Sequence, residues 1–425
     1  MAVKYPFEYF TGSSFSDLYF ADTRDQAHGF VLQYPTTAAW SRYPNTQRYF
    51  IQDGSLEELK VSYDKILQKE AWANLAVLGD EIPGILLRAP RNLLMNYWRD
   101  TFDFHYQKTE VLQRTIWCDY LNQSERFEKL LVRFPFDHLR KDKHAVDPDT
   151  HYRLLSKVTL AEMGVHFPNY QIYNVHEVRL EDVEIPAEFP YLIKTSHGLS
   201  GEGTYIIRTE EDLNYCTREI RNYLASGLLD HIIVSEFVRD AVENHCVQFY
   251  VNKQGKPNLI GATTQMVNDQ GEFMGGLIHY SDDGMDKFNH QIAVISRFLN
   301  KHGYFGVVGV DILEDQQGEL HLIDANIRVN GSTPLCLQRN RMRSMGKYAA
   351  KYSTDYRIDS TLDEALVTFK DALDRQDFII LSAVEKARYG RIYCEIYGIV
   401  SGEDAEHMQR NEQALFQQGL QMIAV

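Results

Sequence analysis

The sequence predicts an α/β fold. Short apolar runs alternate with amphipathic helices over the first 150 residues, and a second alternation of the same kind covers residues 151 to about 345. With 425 residues, 44% of them apolar and 24% charged, the chain has ordinary globular composition and the length of roughly two to four domains. We expect an N-terminal α/β domain over 1–148, a second domain over 149–345 and a small α+β appendage over 346–425.

The N-terminal domain is expected to combine an amphipathic helix with short buried strands. Ser55 and Glu58 form a capping box, and the apolar residues that follow recur at helical spacing. The runs predicted as strands are 74–78, 84–87 and 129–134. The polar, charged stretch 140–150 contains a proline and predicts the first domain boundary.

The second domain contains a helix, a glycine-rich hairpin and a later apolar hairpin. The helix predicted over 157–163 ends at Gly164, and Thr209 caps a further helix with an acidic first turn. Its predicted strands are 170–173, 191–195, 204–207, 232–238, 307–313 and 319–325, with a helix between 288 and 303. The C-terminal segment contributes strands 378–384 and 391–400 and a closing helix from residue 403.

Charge and cysteine content exclude several function classes. The balance of 44 Lys+Arg against 59 Asp+Glu, a net charge of -15, argues against broad binding of nucleic acid or anionic membrane, because both need a cationic face. The five scattered cysteines suggest neither a zinc site nor a disulfide framework. We expect no signal peptide, no membrane span and a cytoplasmic location.

A glycine-rich loop between two predicted strands favours phosphate binding. The loop 196–203 contains three glycines, whose backbone amides can approach phosphate oxygens closely. Lys194 lies on the strand before the loop, where its ammonium can neutralise the same anion. The loop alone is weak evidence, since a mobile turn has the same composition, but lysine and loop together are a stronger indication.

The later hairpin carries polar residues at alternate positions of otherwise apolar strands. Asp324, Asn326 and Arg328 share one face of the second strand, and the hairpin partner can bring Asp311 across from them. Two carboxylates and a carboxamide are ligands that Mg²⁺ prefers, and the arginine can hold a phosphoryl group. A solvated strand face is the plainer alternative.

In this order the motifs resemble those of the ATP-grasp superfamily. Lys157 and Lys194 resemble its two phosphate-binding lysines, and the loop that includes Ser200, Gly201 and Gly203 resembles its phosphate loop. The hinge strand that binds adenine and, seven residues on, the ribose-binding glutamate have the following counterparts here: Glu236, Phe237, Val238 and Glu243.

The family's metal signature resembles the set formed by Asp311, Asp324, Asn326 and Arg328. Asp324 stands where the family usually has glutamate, so the number of Mg²⁺ ions, one or two, is left open. The turn after the signature, Asn330, Gly331 and Ser332, corresponds to a position that holds the carboxyl substrate in related ligases, although a plain turn is nearly as good an interpretation.

The resemblance implies an ATP-grasp fold after a pre-ATP-grasp domain, and an ATP-dependent carboxylate-amine ligase. Such an enzyme activates a small acid, here expected to be an amino acid, as an acylphosphate and joins it to an amine. Lys194 and Arg328 would act on the transferred phosphoryl group. The alternatives are a kinase acting on a small-molecule hydroxyl and a non-catalytic nucleotide-binding protein. The expected partners are small molecules, and a homodimer is common in the family.

A basic cluster after this turn allows two interpretations. Arg339, Arg341 and Arg343 alternate with other residues, and they would either anchor a second carboxylate or form a solvated basic face.

Overall fold

Three β-sheets organise the chain in the computed structural model, which describes residues 7–39, 41–53, 60–199, 201–268, 271, 273–280 and 284–423. The first sheet has four strands: β1 (His28–Val31), β2 (Gly84–Leu86), β3 (Glu110–Val111) and β4 (Lys129–Val132). They lie in the order β3-β2-β1-β4 and all pair in parallel. The strands predicted over 84–87 and 129–134 are confirmed as β2 and β4.

Helices accompany this parallel sheet. The helices of this part are α1 (Phe15–Thr23), α2 (Lys60–Ala76), α3 (Asn92–Phe102), α4 (Trp117–Gln123) and α5 (Pro148–Leu154). The capping box of Ser55 and Glu58 lies outside the described residues. The strand predicted over 74–78 is wrong, because α2 continues to Ala76. The apolar residues there are buried on every side, so their pattern has neither helical nor strand periodicity.

The second sheet is antiparallel and carries the glycine-rich hairpin. Its strands are β5 (Tyr170–Asn174), β6 (Tyr191–Thr195), β7 (Thr204–Ile207) and β8 (His231–Glu236), in the order β5-β8-β6-β7. Lys194 pairs with Thr204 across β6 and β7, which confirms the predicted hairpin. The helix α6 (Glu210–Ala225) covers this sheet, and Thr209 and Asp212 form the predicted cap.

The third sheet is large and antiparallel. Its strands are β9 (Ala241–Val251), β10 (Pro257–Val267), β11 (Phe273–His279), β12 (Gly306–Asp315), β13 (Leu320–Asn326), β14 (Ala349–Ile358), β15 (Phe378–Arg388), β16 (Arg391–Gly402) and β17 (Leu420–Met422). The order is β13-β12-β9-β10-β11-β14-β16-β15, with β17 paired to β14. The predicted hairpin is confirmed as β12 and β13, called the acidic hairpin below, and Asp311 lies opposite Asp324.

The remaining helices lie around the second and third sheets. They are α7 (Asn289–Lys301), α8 (Thr333–Leu337), α9 (Arg339–Ser344), α10 (Leu362–Thr368), α11 (Lys370–Asp374) and α12 (Ala405–Gln417). The helix predicted over 157–163 is a 3-10 helix, Lys157–Met163, and Gly164 ends it with a φ of 72°. Among the described helices, none is long and apolar enough to cross a lipid bilayer.

The C-terminal segment has the predicted α+β content but continues the large sheet, since β14 pairs with β11. It also packs against the N-terminal helices, and the indole Nε1 of Trp98 donates to the Ile380 carbonyl at 2.8 Å. Buried residues of α2, α3 and β15 belong to one hydrophobic cluster. The two ends of the chain therefore share a core.

Candidate active site

A cavity of about 440 Å³ lies between the small antiparallel sheet and the large one. Strands β6 and β7 line one side, and β9, β10 and the acidic hairpin line the other. The glycine-rich hairpin, the hinge after β8 and the turn after β13 also reach it. The cavity therefore collects residues from several separate motifs of the sequence.

Two lysines from different elements project toward the acidic hairpin. Lys157 begins the 3-10 helix, and its Nζ lies 3.1 Å from Asp324 Oδ2. Lys194, on β6, donates from Nζ to the Ile323 carbonyl at 3.1 Å. Burial lowers the pKa of the Lys194 ammonium to about 8, while the Asp324 carboxylate acts against that shift. Both predicted lysines thus line one cavity.

The acidic hairpin places two carboxylates face to face. Asp311 Oδ2 accepts a hydrogen bond from Asn326 Nδ2 at 3.1 Å, whereas Asp311 Oδ1 is buried with no partner among the described residues. Burial, and then the charge of Asp324, raise the pKa of Asp311 to about 7. Burial acts to raise the pKa of Asp324 too, but the lysine ammonium groups outweigh it and lower that pKa.

This arrangement fits Mg²⁺. An orphaned carboxylate oxygen beside a second carboxylate is the oxygen-rich, electronegative environment that a hard cation occupies. Asp311, Asp324 and Asn326, the three residues predicted as ligands, all line the cavity.

Arg328 lies just beyond β13 and is buried. Its Nη1 donates to the Tyr34 hydroxyl at 3.0 Å, so the N-terminal segment helps to fix it. It lies two residues beyond Asn326 and lines the same cavity as Asp311 and Asp324. Arg328 is therefore placed to meet an anion held at the acidic hairpin.

The glycine-rich loop contributes in two ways. Gly201 lines the cavity, whereas Gly203 does not and instead accepts from the Thr195 amide at 2.7 Å through its carbonyl. Gly203 has a φ of +73°, and a Cβ there would lie 2.0 Å from Thr195 Oγ1. Gly203 is thus needed for the shape of the hairpin tip. Ser200 lies outside the described residues.

The hinge after β8 lines the cavity with Glu236, Phe237 and Val238, as the resemblance implies. The Glu236 carboxylate accepts from Asn169 Nδ2 at 2.9 Å. The structure does not bring Glu243 to the cavity.

The predicted place of Glu243 in the nucleotide site is not where the structure puts this residue. Asn244 and Cys246 of β9 line the cavity, so Glu243 and His245 project from the opposite face of that strand. The Glu243 carboxylate lies 3.0 Å from His245 Nε2. Spacing from Glu236 could not reveal this, because β8 and β9 belong to different sheets and the pairing of β9 with β12 contains a register shift.

The turn after the acidic hairpin also borders the cavity. Asn330 Oδ1 accepts from Gln248 Nε2 at 2.6 Å and from the Ser332 amide at 3.1 Å, so the Asn330 side chain holds the turn together. Gly331 has the Phe273 ring against it, and a Cβ there would lie 2.7 Å from the ring. Ser332 is buried and lines the cavity.

The basic residues of α9 make contacts away from the cavity. The Arg339 guanidinium lies 3.8 Å from the centre of the Tyr9 ring, and Arg341 Nε donates to Gln376 Oε1 at 2.9 Å. Arg343 donates to the Tyr280 carbonyl. None of the three is among the described residues that line the cavity.

Several residues that line the cavity were not predicted from the sequence, among them one of β9 and three of the N-terminal domain. Asn244 has a buried Oδ1 with no partner among the described residues. Tyr34, Glu70 and Arg133 come from the N-terminal domain. Tyr34 and Arg133 follow parallel strands closely, and the rule that ligands bind at the carboxyl ends of such strands would have indicated them.

Known proteins share both the motif region and the fold. Residues 168–326 match the model of a family described as L-aspartate–L-methionine ligase, ATP grasp. An N5-carboxyaminoimidazole ribonucleotide synthetase in complex with ADP is 10% identical, with a TM-score of 0.54 over 92% of this chain and 96% of that chain. An L-amino acid ligase from Bacillus licheniformis is 12% identical, with a TM-score of 0.54 over 82% of this chain and 99% of that chain.

A phosphoribosylamine–glycine ligase from Thermotoga maritima is 14% identical, with a TM-score of 0.50 over 80% of this chain and 97% of that chain. Likeness at such identities establishes the fold. The family match adds the class of enzyme, since it spans the glycine-rich hairpin, the hinge and the acidic hairpin in one alignment. Residues 168–326 thus form an ATP-grasp module of the ligase type, and the chain as a whole has the fold of the ATP-grasp ligases.

Proposed function

We propose that the chain is an amino acid ligase that activates a small carboxylic acid as an acylphosphate and joins it to an amine, with release of ADP and phosphate. The observation that carries the proposal is the convergence of Lys157, Lys194 and Arg328 with the pair Asp311 and Asp324 on one cavity. L-Aspartate and L-methionine are the substrates to test first, because the matching family is described by that reaction.

The proposed reaction has two displacements. A carboxylate oxygen of the acid attacks the γ-phosphorus of ATP, a P–O bond forms, and the bond to the β-phosphate breaks to release ADP. The amine nitrogen then attacks the acyl carbon, a C–N bond forms, and the C–O bond to phosphate breaks while the amine loses a proton to solvent. Nucleophilic side chains are not needed for either displacement.

The chain's own cations would stabilise the charge of the transferred group. Buried ammonium and guanidinium groups interact strongly with phosphoryl oxygens, because water does not screen them there. We assign Lys157 and Lys194 to the phosphates of ATP and Arg328 to the phosphoryl group and the acylphosphate. Mg²⁺ held by Asp311, Asp324 and Asn326 would neutralise charge on the phosphate oxygens.

The remaining contacts would position the nucleotide and the acid. We assign the hinge residues Glu236, Phe237 and Val238 to the adenine and the glycine-rich loop, with Gly201, to the phosphates. The turn of Asn330, Gly331 and Ser332 borders the place where the acyl group would lie. A closed loop over the cavity would keep water from hydrolysing the acylphosphate.

The product pattern tests the proposal. Purified protein with Mg²⁺-ATP, L-aspartate and L-methionine is expected to release ADP and phosphate in equal amounts and to form a dipeptide identified by mass. Omission of either amino acid should reduce phosphate release to the background rate. Hydroxylamine in place of L-methionine is expected to trap the acylphosphate as a hydroxamate.

Other outcomes would contradict this function. A stable phosphorylated product with ADP and no free phosphate would identify a kinase. ATP binding without turnover across a broad panel of amino acids and related acids would identify a nucleotide-binding protein.

A further inference from the structure

A cluster of the N-terminal domain borders the cavity beside Arg328. It consists of Tyr34, Glu70 and Arg133 and is called the N-terminal cluster below. We propose that Arg133, with Tyr34, binds a non-reacting carboxylate of an amino acid substrate. The proposal rests on the amino acid ligase function proposed above, and it gives the N-terminal domain a part in substrate selection.

The topology brings the N-terminal cluster to this place. Tyr34 follows β1 and Arg133 directly follows β4, and these strands are parallel neighbours. Ligands of open α/β sheets bind outside the carboxyl ends of the strands, where loop side chains converge. Here that edge of the parallel sheet faces the cavity of the ATP-grasp module.

Arg133 is buried, with 1% of its surface exposed. Its Nη2 donates to the Tyr34 hydroxyl at 2.7 Å and lies 3.2 Å from Glu70 Oε2. Its Nη1, in contrast, is buried and has no hydrogen-bond partner among the described residues. Native proteins rarely leave a buried charged donor unpaired, and Arg133 lines the cavity, so we assign this donor to a ligand bound there.

Tyr34 can supply a second donor. Its hydroxyl oxygen accepts from Arg133 Nη2 at 2.7 Å and from Arg328 Nη1 at 3.0 Å. A phenolic oxygen has two lone pairs, so both are used and the hydroxyl hydrogen remains for an acceptor. A carboxylate accepts from two such donors at once.

The local charge also favours an anion. Two guanidinium groups, those of Arg133 and Arg328, share the Tyr34 hydroxyl, and Glu70 is the carboxylate that pairs with Arg133. Glu70 is 20% exposed at its side chain and lines the same cavity. A carboxylate would balance the remaining positive charge, and Glu70 can accept from the ammonium group of the same amino acid.

Arg133 and Arg328 are not equivalent. Arg328 lies two residues beyond Asn326, the last residue of the acidic hairpin, whereas Arg133 follows β4 and is bound to Tyr34 and Glu70. We therefore assign the reacting carboxyl group to Arg328 and the non-reacting one to Arg133. That carboxylate is either the second one of a dicarboxylic acid substrate or the one carried by the amine substrate.

Steady-state kinetics with the full chain separate these sources. Arg133→Met is expected to raise the KM for one amino acid about 10- to 100-fold, the effect of a lost charge-assisted hydrogen bond, with the KM for ATP changed less than about twofold. A higher KM for L-aspartate would show that Arg133 binds the second carboxylate of the acid substrate. A higher KM for L-methionine would show that Arg133 binds the carboxylate of the amine substrate.

Amide analogues give the decisive readout. L-Asparagine and L-methioninamide lack the non-reacting carboxylate, so Arg133→Met should use the relevant analogue as well as the wild type does. Arg341→Met is the matched control, because its guanidinium binds Gln376 away from the cavity, and all its KM values should match the wild type. Equal losses with amino acid and amide, or no change in either KM, would overturn the proposal.

Two further measurements keep the proposal testable. If Arg133→Met fails to fold, Arg133→Lys and Tyr34→Phe retain a charge or the ring and are expected to raise the same KM about 3- to 10-fold. If the wild type ligates no pair, the proposed function fails. Binding then tests Arg133 alone, because L-aspartate or L-methionine should raise the Tm of the wild type more than that of Arg133→Lys. No shift for the wild type, or equal shifts for both proteins, would refute the proposal.

Discussion

Asp311 and Asp324 show how single residues of this protein are held in an unfavourable state. Their carboxylates face each other across the acidic hairpin, and burial together with Asp324 raises the pKa of Asp311 to about 7. One Asp311 oxygen lacks a partner among the described residues. Such residues lower folding stability unless a ligand compensates, which is typical of functional sites.

Asp311→Asn should therefore separate folding from function. We expect phosphate release to fall about 100-fold or more, because the proposed Mg²⁺ site loses one of its anionic ligands. The free energy of unfolding without Mg²⁺ should rise by about 1 kcal/mol, since the repulsion with Asp324 is removed. Denaturant unfolding and the phosphate assay measure the two effects.

Asp315→Asn is the matched control on the same hairpin. Asp315 Oδ1 accepts from the amides of Gln317 and Glu319 at 2.9 and 2.8 Å, so it holds the turn. We expect this variant to lose about 1–2 kcal/mol of stability and to keep its turnover. Retained turnover in Asp311→Asn would contradict the assignment of the acidic pair.

Strand alternation let the sequence predict part of the acidic hairpin. Alternate positions share a face, so Asp324 and Asn326 of β13 can be grouped from their spacing, whereas Arg328 lies just beyond the strand. Glu243 was misplaced for the opposite reason. Its position depends on the passage of the chain from one sheet to another and on a register shift, and neither leaves a clear signal in residue spacing.

Among the elements, the glycine-rich hairpin is the most sensitive to the size of single residues. Gly203 combines a φ of +73° with a position whose Cβ would lie 2.0 Å from Thr195 Oγ1. Both a left-handed backbone and close packing therefore require glycine there. The tip of the hairpin is fixed by this contact.

Gly203→Ala is expected to lower both stability and nucleotide affinity. Gly227→Ala is the control, since Gly227 has a φ of +68° but open space around it, and its cost should be the backbone strain alone, about 1–2 kcal/mol. Gly203→Ala should lose more than that, and its KM for ATP should rise several-fold. Unfolding curves and ATP titrations give the comparison. Equal losses of stability in Gly203→Ala and Gly227→Ala would mean that the hairpin tip accommodates the added methyl group at no further cost in stability.

The elements of the N-terminal domain were less well predicted. The run 74–78 was assigned to a strand, whereas α2 extends to Ala76. The residues Leu75, Ala76, Val77 and Leu78 are all buried, so the pattern carries no periodicity. Only packing on neighbouring elements decides between helix and strand in such a run.

In the molecule as a whole, Gln52 joins the N-terminal domain to the glycine-rich loop. The backbone amide of Gln52 donates to the His197 carbonyl at 2.7 Å, and its backbone carbonyl accepts from the Leu199 amide at 3.2 Å. Its Oε1 accepts from Thr195 Oγ1 at 3.0 Å and from the His197 amide at 3.2 Å. The loop is thus supported by a residue far away in sequence.

Gln52→Ala tests this support. Loss of the side chain leaves the Thr195 hydroxyl and the His197 amide without this acceptor, which should cost about 1–3 kcal/mol of stability. Because the same groups shape the loop, we also expect a several-fold rise in the KM for ATP. Gln47→Ala, at an exposed position of the same segment, should change neither quantity.

A loss of stability in Gln52→Ala with an unchanged KM for ATP would show that Gln52 only stabilises the fold. The two readouts therefore separate a structural role from support of the nucleotide loop.

Three motifs with local geometry could be recognised from the residues alone: the glycine-rich hairpin, the capped helix α6 and the acidic hairpin. Turn chemistry, capping and strand alternation act over a few residues, so they leave a pattern in the sequence. Only tertiary packing settled that β14 continues the large sheet, that Glu243 faces away from the cavity and that Arg133 faces into it. These facts depend on burial against residues distant in sequence, and local patterns carry no information about such neighbours.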